Sequence, residues 1–270
     1  MKRYLLFFSL LIINYSLLIG IEVGGHLTED TTWSPENNPY LVTENLYVDS
    51  GVTLTILPGT VIKISGAICT SGYDFDQNFW YQNGNNVAKM FWVDGKIIAE
   101  GTEQDSIVFS RLQNDFDFYW GCIYIPEGGV NNLENMSILK HCKFEYSAGI
   151  GIVVGYVARG AVSTRTGYGY INNCTFYNNG KAISSVTRTK GIEVSGSMFY
   201  TDENINNYVY DVWGCRHLSI SRPEENFKPV LLSNNTLLNN HIGVSSVYYV
   251  NNKYINCHHI QTGICLYNCQ

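Results

Sequence analysis

The sequence predicts an all-β solenoid, a chain that coils through short strands and corner turns, and three observations predict it. A small pattern recurs five times from residue 139 onward: apolar, two residues, small or polar, one residue, large apolar. It reads Leu139–Cys142–Phe144, Ile171–Cys174–Phe176, Val194–Ser197–Phe199, Leu232–Asn235–Leu237 and Tyr249–Asn252–Tyr254, and self-similarity of this kind marks a repeat architecture. The composition is rich in turn formers, with 28 Asn, nine of them opening an adjacent Asn-Asn pair, 25 Gly and only 15% charged residues. Finally, no stretch beyond the first twenty residues carries a helical period.

Lys2 and Arg3 precede an apolar run from Leu5 to Ile19 broken only by Ser9, Asn14, Tyr15 and Ser16. A charged start followed by a short greasy segment is the layout of a secretory signal peptide. Residues 1–20 are therefore set aside, with cleavage after Gly20 or Gly25, and 21–270 are read as one domain. The run is short and polar for a bilayer span, although an uncleaved anchor is the alternative, and no later segment is long enough to cross. The expected location is outside the cell or on its surface, without membrane attachment after cleavage. At 45% hydrophobic and 14% aromatic, the chain has ample material for a core. Its net charge of −6, or −8 without Lys2 and Arg3, argues against general nucleic-acid binding.

In the N-terminal half, Leu46 and Val48, then Val52, Leu54 and Ile56, then Ile62 and Ile64, Ile107 and Phe109, and Ile123 and Ile125 place alternate residues on one face of short strands. Asp49-Ser50-Gly51, Pro58-Gly59, Asp94-Gly95 and Gly101-Thr102 separate them with good turn chemistry. In the C-terminal half the large repeat residues are spaced unevenly, which a helical solenoid of fixed period would not tolerate. A β-coil of roughly 20 to 25 residues per turn tolerates it by inserting loops at its corners. Asn178-Asn179 and Asn239-Asn240 follow two of the repeats at the same offset, ahead of Ile183 and Val244, so each repeat reads as a strand, a turn and a second strand. Asn suits the corners because it accepts left-handed backbone, and its amide is expected to bond the equivalent amide one turn away.

The run Thr31-Thr32-Trp33-Ser34, Pro39-Tyr40-Leu41-Val42, Leu46-Tyr47-Val48, Gly51-Val52-Thr53-Leu54-Thr55-Ile56 and Pro58-Gly59-Thr60-Val61-Ile62-Lys63 resembles the opening of secreted bacterial right-handed parallel β-helix proteins of the pectate-lyase-like type. Gly95-Lys96-Ile97-Ile98-Ala99-Glu100-Gly101-Thr102, Ile107-Val108-Phe109-Ser110 and Trp120-Gly121-Cys122-Ile123 continue it. The resemblance covers about residues 24 to 126 and implies a single-stranded right-handed parallel β-helix. It implies no one activity, since such folds host many functions. The chain departs from longer members in ending at Gln270 inside a repeat-like segment with no evident cap, which leaves a truncated reading frame or pairing of that end with another chain among the expectations.

The hydrolases that the resemblance brings in carry clustered Asp residues and a His-containing motif, and this sequence has neither an Asp-Asp pair nor Gly-His-Gly. In Arg222-Pro223-Glu224-Glu225 the proline stands at the wrong offset for the corresponding lyase element. Asp115-Phe116-Asp117 would put two carboxylates on one face of a strand, about 7 Å apart, a spacing compatible with acid–base work on a sugar; Asp74-Phe75-Asp76 reads likewise, and solvated turn acids explain both pairs equally. No catalytic residue is assigned. Residues 69 to 90 hold Tyr73, Phe75, Phe79, Trp80 and Tyr81, and Trp80 with Tyr81 form a candidate platform for sugar rings, or else the loop folds back over the coil.

The eight cysteines show no compact spacing and read mostly as small core hydrophobes, with a disulfide plausible among Cys257, Cys265 and Cys269. His258-His259 beside Cys257 is a weak metal hint without a CxxC partner, and no metal or cofactor is expected. Between Glu145 and Glu193 there is no acidic residue, yet Arg159, Arg165, Lys181, Arg188 and Lys190 fall there. A turn of 23 residues would bring Arg165 of Thr164-Arg165-Thr166 over Arg188 of Thr187-Arg188-Thr189, and guanidinium forks suit a carboxylate or sulfate. Surface arginines splayed into water are the alternative. Arg165, Arg188 and Lys190 are thus the candidate site for an anionic glycan. The expected function is an exported binding or structural module contacting an acidic polysaccharide, with a polysaccharide lyase or glycoside hydrolase as the second reading.

Overall fold

In the computed structural model the described residues are 20–68, 88–114, 118–126, 136–148, 151–153, 156–158, 161–164, 168–180, 182–185, 191–200, 216–220, 231–238, 241–243, 248–250, 253–255, 258–261 and 265–267. The fold is all-β with parallel sheets. Among the described residues the one helical element is the single 3-10 turn Pro35–Asn37.

The strands of the two large parallel sheets fall on three faces that the chain visits in the same cyclic order, while Ala67–Ile68 with Phe118–Tyr119 and Gly151–Val153 with Tyr156–Ala158 form two small antiparallel pairs. The first face is a nine-stranded parallel sheet of Thr31–Trp33, Thr53–Ile56, Lys96–Glu100, Ser137–Lys140, Tyr168–Asn172, Gly191–Ser195, Leu231–Ser233, Tyr248–Val250 and Cys265–Tyr267. The second runs through Val61–Ile64, Ile107–Arg111, Cys142–Glu145, Thr175–Tyr177, Met198–Tyr200, Thr236–Leu238 and Lys253–Ile255. The third runs through Phe91–Val93, Ile123–Ile125, Val162–Thr164, Ile183–Ser185, Arg216–Ile220, His241–Gly243 and His258–Gln261. The long strand Tyr40–Val48 joins these two into one curled sheet, because Tyr40, Leu41 and Val42 pair with the second face and Leu46, Tyr47 and Val48 with the third. Ile21–Leu27 lies on its other edge, in register with both halves.

Each strand therefore meets its counterpart one full cycle later, and the sequence repeat is the footprint of that register. Leu139 pairs with Ile171, Ile171 with Val194, Val194 with Leu232, and Leu232 with Tyr249. On the second face Phe144, Phe176, Phe199, Leu237 and Tyr254 form one column. The rings of Phe109, Phe144, Phe176 and Phe199 stack at centroid distances of 5.1, 4.9 and 4.8 Å, all inside one continuous core. The alternating residues of the N-terminal half, from Leu46 to Ile125, are buried as their period requires.

Two details differ from the reading of the sequence. Each cycle gives one stretch of strand to each of the three faces, since the recurring pattern bends within itself: Leu139 lies on the first face and Phe144 on the second, with His141 at the corner between them. By register the partner of Ile183 is Leu218 and then Ile242, so the strand after Asn239-Asn240 is centred on Ile242 instead of Val244. A cycle also shrinks to 17 residues between Tyr249 and Leu266.

The corners explain the asparagines. His141, Asn173, Gly196 and Asn234 occupy one corner in successive cycles, with φ of 47°, 51°, 60° and 55°, a conformation that Asn and Gly adopt at least cost. The buried amides bond backbone of the preceding cycle. Asn179 Oδ1 accepts from the Ser147 N–H at 2.8 Å while Nδ2 donates to the Phe144 carbonyl at 2.9 Å. Asn235 repeats this with the Ser197 N–H and the Val194 carbonyl. Backbone groups turned inward at a bend have no ladder partner, and the amide supplies one donor and one acceptor. Asn179→Ala should accordingly cost about 2–4 kcal/mol by orphaning both groups, measured by chemical denaturation; Asn179→Asp should cost less only at acid pH, where the carboxyl regains a donor.

Candidate functional site

The third-to-first corner carries the candidate arginines. Arg165 lies between Val162–Thr164 and Tyr168–Asn172, and Arg188 and Lys190 lie between Ile183–Ser185 and Gly191–Ser195. These are the same corner in consecutive cycles. Tyr168 pairs with Gly191, an offset of 23, so both arginines stand three residues ahead of equivalent positions. Upstream, Thr164 pairs with Ser185, an offset of 21. The second corner is thus two residues longer, and the equivalence of Arg165 and Arg188 holds only when counted from the strand that follows. All three basic residues are outside the described ones.

Trp80 and Tyr81, also outside the described residues, belong to a different corner, between the second and third faces, as do Asp115 and Asp117 one cycle later. The two insertions are tied at their bases by an antiparallel pair, Ile68 with Phe118 and Ala67 with Tyr119. Ala67, Ala88, Tyr119 and Ala148 close over this junction with Tyr146 against them. In chain order both insertions fall between the second and third faces, whereas the arginines fall between the third and first.

The same junction gathers groups that the sequence reading missed. Arg111 is buried at 7% exposure, its guanidinium 3.8 Å from the centroid of the Tyr146 ring and donating to the carbonyls of Phe118 at 3.3 Å and Asn114 at 3.5 Å. Tyr146 meets Tyr177 edge-on at 5.6 Å, and Tyr177 lies 4.6 Å from Tyr200. Tyr177 and Tyr200 directly follow the column phenylalanines, as Phe176-Tyr177 and Phe199-Tyr200, so for these two the adjacent aromatic pair was the signal available in the sequence. Lys143 pairs with Glu145 at 2.5 Å and sits 6.0 Å from the Tyr177 ring. Partial burial works against the Lys143 charge, but the hydrogen bond and charge of Glu145, with the nearby Tyr200 and Tyr146, outweigh it and raise its pKa. Lys143 thus stays charged near one tyrosine ring, while the Arg111 guanidinium lies over another.

On the third face a second outward column runs His26, Tyr47, Trp92, Tyr124. His26 stacks on Tyr47 at 4.6 Å with its Nδ1 2.7 Å from Asp49 Oδ1. Cys122, Cys142 and Cys174 are free thiols inside the structure, as the sequence suggested for most cysteines, and burial pushes the Cys122 and Cys142 thiols up, which keeps them protonated and unreactive.

Compared with known proteins, the chain matches no protein-family model, no curated protein and no solved structure.

Proposed function

We propose that the protein is an exported right-handed parallel β-helix module that binds an acidic polysaccharide. The observation that carries this reading is the recurrence of Arg165 and then Arg188 with Lys190 at one corner of consecutive cycles, within a stretch that has no acidic residue between Glu145 and Glu193. A linear glycan bearing a carboxylate or sulfate on each residue presents anions at regular intervals, and a corner that repeats along the stack offers cations in the same sense.

Polygalacturonate or a sulfated glycan should bind the mature chain, weaken steeply as salt rises, and lose at least about tenfold in affinity in the Arg165→Ala, Arg188→Ala double variant, since each charge-assisted contact is worth about 1.5–3 kcal/mol. Calorimetry in low and high salt reads this directly. Unchanged affinity in the double variant, or preference for a neutral glycan, overturns the reading.

The second reading, a polysaccharide lyase or glycoside hydrolase, draws on the sequence position of the Trp80–Tyr81 segment and of Asp115 and Asp117, in insertions whose flanking residues Ala67–Ile68 and Phe118–Tyr119 pair. New reducing ends or unsaturated products formed during the binding experiment would favour it, and their loss in Asp115→Asn or Asp117→Asn would place the carboxylates.

A further inference from the structure

Four of the six histidines of the chain are His217, His241, His258 and His259. They lie far apart in the sequence but fall on three successive strands of the third face, Arg216–Ile220, His241–Gly243 and His258–Gln261. The register is specific about their places. His241 pairs directly with His258. On one side of this central strand, Arg216 pairs with His241 and Leu218 with Ile242, which leaves His217 as an extra residue in a bulge. On the other side, His241 pairs with His258 and Ile242 with Ile260, which leaves His259 as the extra residue. The strand bearing His241 is thus flanked by two bulged strands, each with a histidine at its bulge.

Packing does not call for this pattern. By register Val162, Ile183, Leu218, Ile242 and Ile260 form one apolar column, and His217, His241 and His259 each stand one residue ahead of it, where the two earlier cycles have Ala161 and Ala182. Bulges relax the strict alternation of a strand and are enriched beside functional sites, where they re-aim side chains. Imidazole is the commonest protein ligand for zinc, copper and nickel. Two imidazole nitrogens on one tetrahedral zinc, each about 2.1 Å from the ion, lie about 3.4 Å apart. Side chains leaving adjacent strands about 4.8 Å apart can close to that distance.

We propose that His241 and His258, in register on neighbouring strands, together with His217 or His259 from the flanking bulges, form a binding site for a divalent transition metal, with zinc as the working ion. Among the described side chains no group of three or more His, Cys, Asp or Glu lies within ligating reach; these histidines are placed by strand register. The site stands apart from the glycan corner and does not depend on it. Its ion would link three consecutive cycles near the end of the described chain.

Zinc chloride titrated into the EDTA-treated mature protein at pH 7.5 should bind one ion per chain and raise the melting temperature, and EDTA should reverse the shift. Because zinc needs neutral imidazoles, binding should fade as pH drops through about 6.5. The His241→Gln, His258→Gln variant should melt like the metal-free wild type and bind zinc at least about tenfold more weakly. A wild type that takes up no zinc, or a double variant that binds it as the wild type does, overturns the proposal. A second readout uses the wild type alone, in case the variant fails to fold. Zinc should slow diethyl pyrocarbonate modification of His241 and His258 several-fold while leaving His26 and His141 unaffected. Equal modification of all six with and without zinc overturns it as well.

Discussion

Phe176→Asp should abolish cooperative folding of the protein. The Phe176 ring is fully buried between Phe144 at 4.9 Å and Phe199 at 4.8 Å. Removing it forfeits about 3–5 kcal/mol of packing and transfer free energy. The carboxylate that replaces it meets phenyl faces above and below, with nothing to accept or donate a hydrogen bond, and desolvating it adds several kcal/mol more. The total rivals the whole stability of a typical domain, about 5–15 kcal/mol. Phe176→Leu keeps the column apolar and should cost only about 1–3 kcal/mol. Far-UV circular dichroism with a urea series on both variants checks this. An Asp variant that unfolds within a few tenths molar of the wild type would contradict the stacked core, as would a helix-dominated spectrum.

The second large effect is expected at Gly95, at the corner between the third and first faces. A Cβ there would sit 2.2 Å from the Val52 carbonyl oxygen and 2.4 Å from that of Asp49. Both are backbone atoms of the preceding cycle and cannot swing aside. The same crossing is pinned by the Gly95 N–H to the Val48 carbonyl, Lys96 N–H to Val52 and Val52 N–H to Asp49, at 2.9 to 3.0 Å. Gly95→Ala must therefore push two cycles apart and break part of this set, at about 3 kcal/mol or more. Gly51, in the facing turn, is the informative contrast. It has φ of 84° with open space where a Cβ would lie, so Gly51→Ala should cost only the backbone strain, about 1–2 kcal/mol. Equal losses at the two positions in chemical denaturation would show that close approach is not what Gly95 provides.

The legible part of this molecule is its interior. Ile171, Val194 and Leu232 recur in the sequence because each lies directly on the next in a parallel register, and like residues stack on like with least strain. The count of strands per cycle was hidden because the bend at His141, Asn173 and Gly196 takes a single left-handed residue, too brief to interrupt the apolar pattern on either side. The role of Asn179 and Asn235 was half legible. Their fitness for corners follows from residue type, whereas the bonds to Ser147, Phe144, Ser197 and Val194 depend on which backbone groups the bend turns inward. The candidate site was least legible. Arg111 and Tyr146 are brought together across 35 residues of sequence, as are Lys143 and Tyr177 across 34, and no local pattern in the sequence pairs either cation with its ring.

The uneven spacing of register partners has a consequence for how such a chain can change. Leu54 and Ile97 are partners at 43 residues and Leu232 and Tyr249 at 17, yet both pairs make the same parallel ladder. Closing the longer excursion costs only about 0.8 kcal/mol more in chain entropy, because that cost grows with the logarithm of length. A corner is therefore a nearly neutral point of entry for new sequence, whereas a single residue gained or lost inside a strand would turn every inward side chain of that strand outward. Insertions should accumulate at corners and leave the strands untouched, so that the chain gains exposed surface at its bends while the pairing of its strands is inherited unchanged.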